Sequence, residues 1–202
     1  MRIQDLTTTQ GADRLRLALG LDEDQVSKIK TLVSSMAGSN PHINDTYVGK
    51  SAPNVSLYDF KNNRLGIGHA SSDVLAHEMG HAASLANSSD IYKSLLRGAK
   101  GLSRLSNSAA LPIASFIGLN PKLKKEQKQD LLNKATIVSS LLAAPNVLEE
   151  LNASSKAVYH SPTKFRTALS MVPGIASHTF NDFTAPATYY LANKILRSSD
   201  DD

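Results

Sequence analysis

A mainly α-helical domain carrying one small β-hairpin or sheet is the fold class this sequence predicts, on three observations. Apolar residues recur at helical spacing over most of the chain. Two-residue alternation is confined to residues 54–70, and Gly, Pro, Asn and Ser divide the remainder into segments of helical length. At 202 residues, 41% hydrophobic and 20% charged, the chain suits one compact domain with a real core and is not biased toward disorder. With no Trp and 5% aromatic residues, that core should be mostly Leu, Ala, Ile and Val.

Taken in order, residues 12–20 and 24–36 read as two short helices. In the second, Val26, Ile29, Leu32 and Val33 recur at helical spacing. The run "AGSNPHINDTYVGKSAPN" (37–54) is dense in Gly, Ser, Asn, Pro and Asp and reads as a loop. In 54–70, Val55, Leu57 and Asp59 alternate with Ser56, Tyr58 and Phe60. Asn62-Asn63 then makes a turn, and Leu65 and Ile67 alternate again, which is the pattern of a short hairpin. Helices follow at 72–86, 89–105, 108–118, 123–144, 146–159, 163–171 and 182–197. Residues 1–53 are expected to belong to the same domain as 54–198, and 199–202 form an acidic tail.

The net charge of +4 and a pI near 9.2 could favour acidic partners, but the basic residues are scattered. The densest run, "PKLKKEQKQD" (121–130), mixes signs and holds no aromatic, so it reads as a solvated helix start, not a nucleic-acid site. The absence of cysteine excludes disulfides, Cys-ligated zinc and a Cys nucleophile together. The N-terminus has no apolar core of a signal peptide. The nearly uncharged stretches 106–120 and 135–147 fall short of the ~18 residues of a spanning helix, and each contains a Pro. A soluble, cytoplasmic protein with buried core helices is the expectation, with membrane contact at most peripheral.

The chemistry centres on "SSDVLAHEMGHAASLA" (71–86). Ser71, Ser72 and Asp73 offer N-caps and a carboxylate suited to the positive helix end. At 3.6 residues per turn His77 and His81 stand one above the other, so both imidazoles can meet one tetrahedral metal. Glu78 points at the flank of that site, where it can take a proton from a metal-bound water. Gly80 costs ~1 kcal/mol inside a helix relative to Ala, so its use is to admit another element. Chance alone yields H-E-x-x-H in about one chain in two hundred of this composition.

Catalytic zinc needs a third protein ligand. The extended H-E-x-x-H-x-x-G-x-x-H signature is absent, because residues 82–87 are "AASLAN". The candidates are His42, His69, His160, His178, Asp90, Glu126, Asp130, Glu149, Glu150 and Asp182. The segment "APNVLEELNASSKAV" (144–158) stands out, with Glu149-Glu150 opening a helix after a Pro-Asn break and Val147, Leu148, Leu151 and Val158 forming its buried face. Glu150 lies a turn from Ser154, which could hold a carboxylate or a ligand histidine in place. Periodicity equally allows an acidic pair that stabilises a helix's first turn.

In order, "VLAHEMGHAAS", "RLSNSAALPIAS", "NVLEELNASSKAV" and "APATYYLANKIL" resemble the YugP-type neutral zinc metallopeptidases over roughly residues 54–196. The first and third motifs are specific together. The resemblance implies a zincin-like, gluzincin-type domain with His77, His81 and Glu150 as zinc ligands and Glu78 as general base. It implies Tyr189, aligned with the family's Tyr, as donor to the oxyanion, ahead of Tyr190, His178 and His160. Asn152-Ala153-Ser154 matches the family's Asp-Ala-Ser with one change. The hairpin before the active-site helix occupies the position where this class presents an edge strand to an extended peptide. The family is usually membrane-embedded, whereas here the apolar helices are interrupted by Pro112 and Pro145 and split by the charged stretch 121–134.

The implied function is zinc-dependent hydrolysis of a peptide or protein substrate, with Glu78 passing the water proton to the leaving amine. Two alternatives remain open at this level. One is a non-catalytic zincin-fold protein acting in binding or assembly. The other is a zinc amidase acting on cell-wall peptides. Nucleic acid is not among the expected partners.

Overall fold

The computed structural model describes residues 1–50, 56–68, 72–86 and 88–198. It is mainly helical with one small mixed sheet. The elements in order are a 3-10 helix Ile3–Thr7, α1 (Thr9–Leu19), α2 (Glu23–Ser39), a 3-10 helix Pro41–Asp45, β1 (Tyr47–Lys50), β2 (Leu57–Asp59) and β3 (Arg64–Ile67). They are followed by α3 (Ser72–Ala86), α4 (Asp90–Leu119), α5 (Lys125–His160), α6 (Lys164–Asp182) and α7 (Thr184–Ser198).

The chain divides into two compact units, Met1–Ser89 with Glu149–Ile175, and Asp90–Leu148 with Ala176–Asp202. The first surrounds the larger core. Helix α2 starts on a capping box in which Asp22 accepts from the Gln25 N–H and Gln25 returns the bond to the Asp22 N–H. It buries Val26, Ile29, Leu32, Val33 and Met36, the face its spacing predicts. These pack with Leu65 and Ile67 of β3 and with Leu75, Met79 and Ala83 of α3. Residues 1–50 therefore share one core with the HEMGH helix.

The sheet order is β1-β3-β2, with β1 parallel to β3 and β2 antiparallel to it. The hairpin is present over Leu57–Asp59 and Arg64–Ile67, and its turn places Asn63 at φ 49, a left-handed conformation that Asn tolerates. Its expected ends at 54–55 and 69–70 lie outside the described residues. Strand β1 corrects the reading of 37–54 as loop. Each residue of Tyr47–Lys50 pairs with one 17 positions further along the chain, from Tyr47 with Arg64 to Lys50 with Ile67, and at its outer edge Val48 N–H donates to Met1 O at 2.7 Å.

The prolines are a second correction. Pro112 and Pro145 were expected to interrupt the apolar helices, and separate helices were expected at 89–105 and 108–118, at 123–144 and 146–159, and at 163–171, but α4, α5 and α6 run unbroken through Pro112, Pro145 and Pro173. An internal Pro costs ~3 kcal/mol. Around Pro112, the helix-favouring Ala109, Ala110, Leu111 and Ala114 flank the ring, and burial of Ala110, Ala114 and Ile117 offsets the loss. Glu149 and Glu150 consequently do not open a helix but lie deep inside α5. The face buried there is Glu149, Glu150, Ala153, Ser154 and Ala157, while Leu148 and Leu151 are exposed.

The second unit has a small core of Ala110, Ala114, Ile117, Leu132, Ala185 and Tyr189. The uncharged stretches 106–120 and 135–147 are not the buried core helices expected of them, since Leu111, Phe116, Leu119, Ile137 and Leu141 are exposed. Among the described residues, α5 is the one helix long and apolar enough to cross a membrane.

Candidate metal centre

The centre lies in the first unit, where α3 crosses the last third of α5. Gly80 makes this crossing close: a Cβ there would stand 2.1 Å from the Ala153 carbonyl oxygen. The opposing positions are a Gly and an Ala, so two backbones meet where larger side chains would hold them apart. We expect Gly80→Ala to destabilise the first unit by about 1–3 kcal/mol, the usual cost of forced overpacking. Thermal unfolding followed by circular dichroism would read this as a lowered Tm, and an unchanged Tm would contradict the close approach.

With the helices in contact, His77 Nε2, His81 Nε2 and Glu150 Oε2 form a nearly equilateral triangle. The edges are 3.2 Å between the two nitrogens, 3.2 Å from His77 to Glu150 and 3.4 Å from His81 to Glu150. These atoms form a group able to hold a metal ion. A tetrahedral zinc with donors at ~2.0–2.1 Å requires donor–donor edges of about 3.3–3.4 Å. The residues therefore fit zinc in type and in spacing.

The outer nitrogens of both rings are engaged. Glu149 is 1% exposed, and its Oε1 accepts from His81 Nδ1 at 3.1 Å. Its Oε2 accepts from Ser84 Oγ at 2.8 Å, and Ser84 Oγ in turn accepts from Asn152 Nδ2 at 2.6 Å. Ser154 Oγ and His77 Nδ1 are hydrogen-bonded at 3.0 Å, the role suggested for Ser154 by its spacing. With the proton held on Nδ1, each ring can offer its Nε2 lone pair to a cation beside the Glu150 carboxylate, once any proton on Nε2 is displaced. Burial alone lowers the pKa of His81, but the Glu149 and Glu150 carboxylates outweigh it and hold the ring at about 9 in the absence of metal.

Glu78 stands beside the triangle. Its Oε2 accepts from the Tyr58 N–H at 2.6 Å, which ties it to β2 at the sheet edge. Burial raises its carboxyl above the ordinary carboxylate range, against the downward pull of the His81 and His77 imidazoles. A carboxyl raised in this way holds a proton more readily than an ordinary carboxylate, which suits it to accept one from water.

None of the other described sequence candidates contributes a donor to the triangle. Tyr189 belongs to the second unit, where it is buried among Ala110, Ala114 and Ile117. Tyr190 is exposed. His160 bonds through Nδ1 to Ser35 Oγ and through Nε2 to Ser39 Oγ. His178 and Asp182 lie in the part of α6 that belongs to the second unit, as do Asp90, Glu126 and Asp130. His69 and the side chain of His42 lie outside the described residues.

Glu149 is the functional side chain that sequence reasoning placed among the ligand candidates without its actual position. It faces the outer nitrogen of His81, not the triangle. The legible signal was Ser84, one turn beyond His81 on the same helix face. Carboxylates in this position raise the basicity of a ligand histidine. Glu149→Gln should lower zinc affinity by about 10–100-fold, measured by titration against a competing chelator. Unchanged affinity would reduce Glu149 to a packing residue.

Compared with protein-family models, with curated proteins and with solved structures, the chain matches none.

Proposed function

We propose that the chain is a zinc-dependent metallopeptidase of zincin-like fold, hydrolysing peptide bonds at the His77–His81–Glu150 centre. The observation that carries this reading is the triangle of Nε2, Nε2 and Oε2 atoms with edges of 3.2–3.4 Å, flanked by the half-buried carboxyl of Glu78. The order of motifs shared with the YugP-type peptidases supports it.

Zinc held by His77, His81 and Glu150 supplies Lewis acidity toward a peptide carbonyl and toward water. Glu78 takes a proton from water as its oxygen bonds to the carbonyl carbon. It then delivers that proton to the amine nitrogen as the C–N bond breaks. Strand β2 is an edge of the sheet, and Tyr58 within it touches Glu78, so an extended substrate added along β2 runs past the general base. Ser154 and Glu149 hold the two rings in the tautomer that leaves Nε2 free for metal.

Elemental analysis of protein never exposed to chelator tests the reading directly. About one zinc per chain is expected, and metal-free wild-type protein would overturn it.

A further inference from the structure

A serine inside a helix commonly returns its hydroxyl hydrogen to the carbonyl one turn back. In this chain Ser108 donates to Arg104 O at 3.0 Å and Ser139 to Ala135 O at 2.7 Å. Ser84 and Ser154 depart from that habit, although both lie inside helices and both are buried. Ser154 Oγ meets Nδ1 of His77, whereas Ser84 Oγ meets Glu149, the carboxylate on Nδ1 of His81. Each gives up the helix bond to stand behind a ligand histidine, one in direct contact and one through a carboxylate.

The bonds around Ser84 run one way. An amide nitrogen can only donate, so Asn152 Nδ2, 2.6 Å from Ser84 Oγ, occupies a lone pair of the hydroxyl. The single hydroxyl hydrogen is left for Glu149 Oε2 at 2.8 Å. Carboxylate oxygens accept, so Glu149 Oε1 draws the ring hydrogen of His81 to Nδ1, 3.1 Å away. The other nitrogen, Nε2, is the one that faces His77 and Glu150. Glu149 is 1% exposed, so bulk water does not stand in for the hydroxyl.

Helix α5 builds this arrangement from one stripe. Glu149, Asn152 and Lys156 follow at intervals of three and four residues, which lines them along a single helix face. Lys156 Nζ donates at 3.0 Å to the carbonyl of Ala83, the residue before Ser84. Asn40, the C-cap of α2, donates to the same oxygen at 2.9 Å. The turn of α3 that carries Ser84 is thereby fastened from two sides, with Oγ facing Glu149.

We propose, on the premise that the triangle holds zinc, that Ser84 is a positioning residue for His81. Its hydroxyl, turned away from its own helix by Asn152, fixes the Glu149 carboxylate and through it the ring nitrogen presented to the metal. Zinc titration of the full chain against a competing chelator tests this, together with proton resonances of isotope-labelled histidine in the zinc-loaded protein. Ser84→Ala should lower zinc affinity about tenfold. It should also move the His81 Nδ1 proton resonance upfield, because a loosened carboxylate accepts that proton less strongly. The His77 Nδ1 resonance, whose partner is Ser154, should stay in place. Asn152→Leu should shift both readouts the same way by less, about twofold in affinity, and it keeps the test decisive if Ser84→Ala misfolds by circular dichroism. Unchanged affinity in folded Ser84→Ala (in Asn152→Leu if Ser84→Ala does not fold) would overturn the proposal. So would lost affinity with an unmoved His81 resonance, which would make Ser84 a packing residue. Wild-type protein that takes up no zinc would instead overturn the metal centre itself, and this role of Ser84 with it.

Discussion

Protein carrying His77→Ala or Glu150→Ala should emerge from purification without the zinc that the wild type retains. Each change removes one of three donors from a triangle whose edges are 3.2–3.4 Å. Binding energies of structural zinc sites run to about 10–16 kcal/mol, so losing one donor in three is worth on the order of 3–5 kcal/mol. Affinity then falls by about a hundred- to several-thousand-fold. Glu150 is buried, and its removal also leaves a void beside α3, so folding must be followed separately. Glu150→Gln keeps the shape and removes the charge. A folded Gln variant with little zinc assigns the loss to ligation, whereas one with wild-type zinc content would remove Glu150 from the site. The triangle would then need another third donor, and none of the other described sequence candidates lies in it.

Glu78→Gln is expected to separate metal from chemistry. The amide oxygen can still accept the Tyr58 N–H bond that ties α3 to the sheet edge, so fold and zinc content should both be retained. What is lost is the proton-accepting carboxylate, and general-base loss costs about 10²–10⁴-fold in rate. The assay is turnover of a mixed fluorogenic peptide library by zinc-loaded wild type and variant at equal concentration. Cleavage at the wild-type rate by the variant would take Glu78 out of the reaction. Such a result, with zinc still bound, would favour a protein that uses the same fold for binding or assembly.

Much of the site was legible because its chemistry is local. His77, Glu78 and His81 lie within five residues on one helix, and a 3.6-residue period alone fixes how their side chains stand. Gly80 was legible for the opposite reason: a residue that weakens its own helix must serve a neighbour, and the Ala153 carbonyl is that neighbour. The face of α5 was less so. Hydrophobicity nominated Val147, Leu148, Leu151 and Val158, but the helix buries two glutamates, a serine and two alanines instead. At this crossing the close approach of α3 admits small side chains, and the two histidines give the carboxylates partners.

By itself, then, the sequence determined the helical class, the hairpin, the core face of α2 and the HEMGH pair, all properties of periods two to four residues long. Tertiary structure alone decided the rest. It paired β1 with β3, a contact between residues distant along the chain. It carried three helices through their prolines, where packing outweighs a local penalty. It also gave the adjacent Glu149 and Glu150 different work, because residues one apart on a helix differ by about 100° in direction. That rotation sends Glu150 to the inner nitrogens of the histidines and Glu149 to the outer nitrogen of His81.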